Sequence, residues 1–305
     1  MPISTVIIPA AGKGTRLMPA TKVTAKELLP VFDRVAIDFA IDEAIGAGVE
    51  RIIVVINASK MAIRSYLGEG GKLAHRPRFN VRSASREAEP EVVYVFQDHP
   101  LGLGHAVLCC KGMTLSGPFG VILPDDIIMG ENCLAEMVKH YRRGHMVAAM
   151  QVPAEEVAQY GIFRLGGPPR NRCIPASGMV EKPSLGTAPS SVAAVGRYIL
   201  DPMIFDVLAH TPFGKGGELQ LTDAITIAAL ASPLTAYQFS GTRYDCGNHD
   251  GLLAASIARQ AHVRNSAVSD AAKPALSATP TGPTHDTVRG SDRIARPAET
   301  TAFAR

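Results

Sequence analysis

The sequence predicts an α/β fold in which a mixed, mostly parallel sheet is flanked by helices. Apolar runs alternate with helix-like stretches through the first half of the 305-residue chain, as they do in repeated βαβ units. The run at residues 52–56 is apolar at consecutive positions, which is typical of a strand that helices cover on both faces. A hydrophobic content of 46% is enough for a sizeable core.

The elements are predicted in chain order from the same patterns. In the first half we expect strand Thr5–Pro9, helix Ile37–Gly46, strand Arg51–Ile56, helix Lys60–Leu67, strand Val92–Phe96, helix Leu103–Cys110 and strand Gly120–Leu123. Beyond about residue 150 the pattern shortens to strands Val147–Val152, Ile162–Leu165 and Ala193–Ile199, followed by a helix at Thr222–Ala231. These later strands are expected to extend the same sheet.

The composition divides the chain into a folded part and a tail. Residues 1–262 are expected to form one domain, with two parts that meet near residue 150. Residues 263–305 are rich in Ala, Pro, Thr and Ser and contain one aromatic residue, Phe303. Because such a segment can bury little apolar surface, we predict a disordered tail. No well-patterned final helix is expected.

Charge and hydropathy exclude several classes of protein. The formal net charge is only +3, and no basic run is interleaved with aromatic residues, so nucleic-acid binding is not expected. No apolar stretch approaches the ~20 residues of a membrane span, and the N-terminus lacks a signal-peptide pattern. The five cysteines form no CxxC pair, which favours reduced thiols. The expected location is the cytoplasm.

A glycine-rich, basic segment follows the first predicted strand. Gly12 and Gly14 give the backbone the freedom to turn its N–H groups toward an anion. Arg16, Lys22 and Lys26 then add positive charge. This order of features indicates a nucleoside triphosphate site, although a Gly-x-Gly-x-Arg pattern by itself also occurs in a plain strand-to-helix turn.

The two common glycine-loop templates do not fit this segment. Leu17 stands where a dinucleotide-binding loop would have its third glycine, and Thr15 follows Gly14 where a Walker loop would have lysine. The missing glycine argues against an NAD-dependent oxidoreductase.

Further short motifs follow in a fixed order and carry a family resemblance over residues 3–258. They are Gln97 with Gly102–Ala106, Leu123–Asp126, Tyr160–Gly161, Glu181–Pro183, Gly196–Tyr198, Gly217–Asp223 and Tyr244–Gly247. With residues 12–30, they resemble the motifs of the sugar nucleotidyltransferase (pyrophosphorylase) superfamily, and in particular those of the bacterial UTP–glucose-1-phosphate uridylyltransferases. The resemblance implies a Rossmann-like nucleotide-diphospho-sugar transferase fold, with a nucleotide-binding part over about 1–150 and a sugar-binding part over about 151–262.

The resemblance also implies a reaction. It is the Mg²⁺-dependent transfer of UMP from UTP to α-D-glucose 1-phosphate, which gives UDP-glucose and pyrophosphate. The sugar phosphate would attack the α-phosphorus in line, so that no covalent nucleophile is required.

In the first part of the chain, the resemblance assigns residues to the nucleotide. Arg16 and Lys26 are expected to act on the triphosphate as catalytic residues, with Lys26 also binding the nucleotide. The remaining nucleotide-binding residues would be Ala10, Ala11, Gly12, Gly14, Gln97 and Gly102. A glutamine amide can both donate to and accept from a uracil edge, although a glutamine after a strand is more often an ordinary loop residue. His105 is interpreted as a partly buried structural histidine.

The remaining assignments concern the metal and the sugar. Asp125 and Asp245 are implied as ligands of Mg²⁺, which prefers oxygen donors. The neighbouring Asp126 is expected to be an accessory or helix-cap residue. Lys182 is implied as the catalytic residue that meets the attacking phosphate. The hexose and its phosphate would contact Gly161, Glu181, Lys182 and Gly196.

The chain departs from the family pattern at two places, and some alternatives remain. Residues 33–36 read Asp-Arg-Val-Ala and lack the usual proline, and His249 stands near a position where lysine is common. The family also leads us to expect a homo-oligomer, either a dimer or a tetramer. The alternatives for function are the same chemistry with dTTP or another sugar 1-phosphate, and a non-catalytic sugar-nucleotide sensor.

Overall fold

A computed structural model of the chain describes residues 3–68, 73 and 89–271. The strands are β1 (Thr5–Pro9), β2 (Pro30–Val31), β3 (Arg34–Val35), β4 (Arg51–Ile56), β5 (Glu91–Phe96), β6 (Phe119–Ile122), β7 (Asp126–Met129), β8 (His145–Gln151), β9 (Gly161–Leu165), β10 (Cys173–Glu181), β11 (Val192–Leu200), β12 (Leu234–Gln238) and β13 (Thr242–Asp245). The helices are α1 (Ala36–Gly46), α2 (Met61–Leu67), α3 (Leu103–Leu108), α4 (Cys133–His140), α5 (Ile204–His210), α6 (Leu221–Ala228) and α7 (His249–Ala271).

Nine strands form one sheet in the order β5-β4-β1-β6-β11-β8-β12-β10-β9. The first four pair in parallel. β11 runs antiparallel to both β6 and β8, and β10 runs antiparallel to both β12 and β9. In this sheet β10 and β11 therefore oppose the direction of the other strands, which confirms the predicted mixed, mostly parallel sheet.

Helices cover both faces of the sheet. Ile53 and Val55 of β4 belong to a buried cluster that includes residues of α3, α5 and α6. Ile52, Val54 and Ile56 belong to a second cluster that includes residues of α1, α2 and α4. This two-sided burial explains why β4 is apolar at consecutive positions, and it confirms that interpretation of the sequence.

Several elements were not predicted, and one expectation was wrong. The missed elements include α4, α5, β10, β12 and a separate two-stranded sheet in which β7 pairs with β13. The expectation that the chain has no well-patterned final helix is corrected by α7, which continues to Ala271. Leu253 and Ile257 of α7 are 62% and 59% exposed, so the apolar residues of this helix do not mark one buried face.

The chain divides into two compact units, Met1–Arg264 and Asn265–Arg305. The disordered tail predicted over residues 263–305 is wrong for residues 263–271, which are the last part of α7, and the remaining residues 272–305 lie outside the described residues. Among the described helices, none has both the length and the apolar character needed to cross a membrane. All five cysteines are free thiols, as predicted.

Candidate active site

The glycine-rich loop begins where β1 ends. Gly14 has a φ of 67°, in the left-handed region that favours glycine, and its carbonyl accepts a hydrogen bond from Thr21 Oγ1 at 2.8 Å. Within the described part of the chain, nothing accepts a hydrogen bond from the backbone N–H groups of residues 12–14. These groups are therefore available to an anion. The N–H of Ala10, by contrast, already donates to the Val55 carbonyl at 2.7 Å.

Lys26 forms an ion pair with Asp125. Its ammonium donates a hydrogen bond to Asp125 Oδ2, and the two side chains are only 16% and 21% exposed. Burial opposes the charged form of Lys26, but Asp125 and Glu27 outweigh it and raise the pKa of Lys26. Burial likewise opposes the charge of Asp125, whose pKa is nevertheless lowered by Lys26. Both groups are consequently charged at neutral pH.

The two predicted metal ligands converge on Gly247. A Cβ atom added to Gly247 would lie 2.9 Å from Asp245 Oδ1 and 3.2 Å from Asp125 Oδ2. It would also lie 2.5 Å from Arg16 Nη2, and Arg16 Nη1 is 3.5 Å from Asp245 Oδ2. The antiparallel pairing of β13 with β7 brings these aspartates together, since Asp245 lies opposite Asp126 in the register.

Asp126 is not a helix cap, contrary to one of the two roles predicted for it. It begins β7, and its Oδ2 accepts a hydrogen bond from the Gly196 N–H at 2.9 Å. Its Oδ1 accepts from Arg243 Nε at 2.8 Å and also pairs with Arg243 Nη2. Asp126 thus links the strand that follows Asp125 to β11 and to the strand that ends at Asp245.

The predicted sugar-side residues lie where β10 ends beside β9 and α6. Glu181 Oε2 accepts a hydrogen bond from Thr222 Oγ1 at 3.0 Å. A Cβ atom at Gly161 would come within 3.3 Å of the same oxygen, so only glycine leaves the carboxylate its present space. Lys182 Nζ lies 3.4 Å from Glu181 Oε1, and the lysine side chain is 50% exposed.

Gly196 has a packing role that the sequence analysis did not anticipate. An added Cβ atom would lie 2.6 Å from Leu123 Cβ and 2.8 Å from Asp126 Oδ2. Glycine is therefore required at this position by its protein neighbours.

An open cavity of about 530 Å³ joins the two groups of residues. Seven predicted site residues line it, namely Arg16, Asp125, Gly161, Glu181, Lys182, Gly196 and Asp245. The other predicted site residues do not line the cavity. Two of them lie next to it, since Lys26 contacts Asp125, and a Cβ atom added to Gly12 would lie 3.9 Å from Lys26 Nζ.

Gln97 and Gly102 lie together after β5. Gln97 is 5% exposed, and its Nε2 donates to the Gly102 carbonyl at 3.1 Å and contacts His105 Nδ1 at 3.0 Å. When the ring proton of His105 is on Nε2, both N–H bonds of the amide have protein acceptors. Gly102 has a φ of 99°, and an added Cβ atom would lie 2.8 Å from Glu218 Cβ.

The cavity residues that the sequence analysis did not assign to the site include Arg243, Tyr160 and Thr222. Arg243 donates from Nη1 to the Tyr160 hydroxyl at 3.1 Å, and its Nη2 lies 4.0 Å from Asp245 Oδ2. Thr222 holds Glu181, as described above. Tyr160 and Thr222 belong to recognised motifs and could have been found there, whereas Arg243 precedes its motif and gave no signal.

The two departures from the family pattern have identifiable contacts. His249 begins α7 and its Nε2 lies 3.3 Å from the Met18 carbonyl oxygen, near Arg16 in the chain. Asp33 accepts two hydrogen bonds from Arg259 of α7, at 2.8 and 3.0 Å. The altered segment thus holds the final helix.

Known proteins are similar to this chain over most of its length. The family model for nucleotidyl transferases matches residues 5–261. UTP–glucose-1-phosphate uridylyltransferases of Pseudomonas aeruginosa and Bacillus subtilis are 38% and 40% identical, covering 83% and 82% of this chain and 95% and 89% of their own. A UDP-glucose pyrophosphorylase solved with UDP-glucose superposes with a TM-score of 0.75 at 34% identity, covering 85% of this chain and 99% of its own. The chain therefore belongs to the nucleotidyl transferase family, as the motifs had predicted.

Proposed function

We propose that the protein transfers UMP from UTP to α-D-glucose 1-phosphate, forming UDP-glucose and pyrophosphate. The observation that carries this proposal is the convergence of Arg16, Asp125 and Asp245 on Gly247 in a cavity that also contains Glu181 and Lys182. Charged groups suited to a triphosphate and groups suited to a sugar phosphate thus share one space. The names of the relatives described above support the same pair of substrates.

In the proposed reaction, an oxygen of the sugar phosphate forms a bond to the α-phosphorus of UTP. The bond from that phosphorus to the bridging oxygen breaks, and pyrophosphate leaves with the electron pair. No protein nucleophile takes part, so the chain must position the two substrates and neutralise their charge.

The groups available for this task are backbone N–H groups and cationic side chains. The N–H groups of residues 12–14 would donate hydrogen bonds to phosphate oxygens. Arg16 offers a guanidinium that is 63% exposed and can pair with two oxygens at once. Lys26 would exchange Asp125 for a phosphate oxygen when the nucleotide binds. Lys182 would hold the attacking phosphate, because its half-exposed ammonium can meet a ligand.

The donor set also fits Mg²⁺. Two carboxylates, Asp125 and Asp245, converge, and among the described residues there is no cluster of three or more His, Cys, Asp and Glu that would form a complete protein site. Mg²⁺ is usually bound by one or two carboxylates, with water and substrate phosphates completing its coordination. When bound, the ion would neutralise charge on the triphosphate.

Gln97 and Gly102 are proposed to contact the base. When His105 Nδ1 is unprotonated, both amide N–H bonds are directed to protein acceptors, and the side-chain oxygen is the group left to accept from a ligand. Uracil has an N3–H donor, whereas cytosine has an acceptor at that position. This difference favours UTP over CTP. Assembly into a dimer or tetramer and a cytoplasmic location stay predictions.

The test is pyrophosphate release with Mg²⁺ from purified protein. UTP, dTTP, ATP, CTP and GTP would each be combined with glucose, galactose and N-acetylglucosamine 1-phosphates. We expect release mainly from UTP with glucose 1-phosphate. A different preferred pair would change the substrate but keep the reaction, and no release from any pair despite UDP-glucose binding would support the sensor instead.

A further inference from the structure

A buried ion pair lies beside the proposed triphosphate site and has no part in the chemistry described so far. Lys60 Nζ contacts both oxygens of Glu27, at 2.9 and 2.7 Å. The Glu27 side chain is 0% exposed and the Lys60 side chain 7%. Burial raises the pKa of Glu27 and lowers that of Lys60, so the protein interior disfavours the charge on each group.

Such a pair is a poor source of stability. Removing two charges from water costs free energy that their mutual attraction only partly returns, and apolar residues of similar size often stabilise a protein equally well. The location of the pair suggests a different role. Glu27 directly follows Lys26 in the short 3-10 turn Lys26–Leu28, so whatever fixes Glu27 also fixes the backbone from which Lys26 projects.

Lys60 belongs to a second 3-10 turn, Ala58–Lys60, which follows β4. The same turn also holds the glycine-rich loop. Asn57 donates from Nδ2 to the Ala11 carbonyl at 2.8 Å, while its Oδ1 accepts from the Ser59 N–H at 3.0 Å. Residues 57–60, at the end of β4, thus contact both the loop and the lysine segment, which are separated by the exposed residues around Arg16.

We propose that residues 57–60 position the triphosphate site, with Lys60 placing Lys26 through Glu27 and Asn57 placing the loop through Ala11. Lys60 and Asn57 are positioning residues, since Lys60 bonds to Glu27 and Asn57 bonds to the Ala11 carbonyl. The inference rests on the proposed function only in taking Lys26 and the loop to bind a triphosphate.

The main test uses the double variant Glu27→Gln, Lys60→Met, which leaves no unpaired charge in the interior. We expect its thermal unfolding to stay close to that of the wild type. The KM for UTP should rise by about tenfold or more, because a small misplacement of a binding group can cost up to about 100-fold in rate. The KM for glucose 1-phosphate should change by less than about twofold, since its proposed ligands lie on other elements.

Two single variants sharpen the test. Lys60→Arg keeps the charge and its hydrogen bonds to Glu27, so this single variant should retain most of the UTP affinity of the wild type. Asn57→Asp keeps an oxygen for the Ser59 N–H but loses the donor to the Ala11 carbonyl, and it should also weaken UTP binding. Equal losses for both substrates, or unchanged kinetics in the double variant, would overturn the inference.

Equilibrium binding of UTP, measured by calorimetry without the sugar phosphate, separates this inference from the proposed function. If the wild type binds UTP but releases no pyrophosphate, the proposed function fails. The inference still holds in that case if the double variant binds UTP at least about tenfold more weakly. If the double variant binds UTP as tightly as the wild type, the inference is wrong whatever the activity.

Discussion

The two ends of the cavity hold their charged groups in different ways. On the nucleotide side, Lys26 is paired with Asp125 and is 16% exposed. On the sugar side, Lys182 lies 3.4 Å from Glu181 but remains 50% exposed. The first lysine is placed by protein contacts before any ligand binds, whereas the second is freer to adjust to its ligand. Lys26 is therefore the more preorganised of the two lysines, and a substitution of its partner should disturb Lys26 as well as the ligand.

The largest effect is expected at Asp125, which lies with Arg16 and Asp245 around Gly247. Replacement of Asp125 by alanine removes a proposed metal ligand and leaves Lys26 without its partner. We expect kcat for pyrophosphate release to fall by about 1,000-fold, comparable to the loss of a strong electrostatic contact in a transition state. Circular dichroism should show an intact fold. Wild-type turnover in this variant would show that Asp125 takes no part in the reaction and that its pairing with Lys26 does not matter for catalysis.

The next effect tests whether the sugar side acts independently. Lys182→Met keeps the length of the side chain and removes its charge. The kcat/KM for glucose 1-phosphate should fall by about 100-fold, the size expected for a lost charged contact to phosphate. The Kd for UTP, measured by calorimetry without the sugar phosphate, should remain within about twofold. An equal loss for both substrates would show that Lys182 has a structural role.

A smaller change is expected in base preference. Gln97→Ala removes the amide that His105 and Gly102 orient, and the ratio of kcat/KM for UTP to that for CTP should fall by about tenfold. His105→Asn offers a useful control, because its side-chain oxygen can stand in for Nδ1 and preserve the ratio. If Gln97→Ala leaves the ratio unchanged, the base is recognised elsewhere.

The smallest effect concerns stability away from both ends. Burial lowers the pKa of His145 to about 4 from an ordinary 6.5, although Asp201 partly opposes this. Between these values the unfolded chain binds the extra proton, so stability rises with pH and falls as the solution becomes acidic. From pH 7 to 5.5 the free energy of unfolding should drop by about 1 kcal/mol through this group.

The variant His145→Asn cannot titrate and can still accept a hydrogen bond from the Asp201 N–H, which lies 3.4 Å from Nδ1 in the wild type. Its denaturant-unfolding curves should lose this part of the pH dependence. Identical pH profiles for the two proteins would contradict the assignment.

Patterns along the chain predicted the parallel half of the sheet well. Consecutive apolar residues indicated β1, β4, β5 and β6, and the structure places each within about a residue of its expected bounds. The later elements were harder, because β7 and β13 are short and are defined by pairing across more than a hundred residues. Helix α7 was missed since its apolar residues are not confined to one face.

The candidate site shows the same limit. The family motifs implied Asp125 and Asp245 as metal ligands, and the fold places both side chains around Gly247. The ion pairs next to these aspartates and to Lys26 were not predictable. The contacts of Arg243 with Asp126 and of Lys60 with Glu27 join segments that are distant in the sequence. A buried charge shows its partner only after the chain has folded.

The space at Gly247 also limits how such a centre can vary. A single methyl group there would collide with a guanidinium and press on two carboxylates. A side chain at this position would therefore displace the exposed end of Arg16 and crowd both proposed metal ligands.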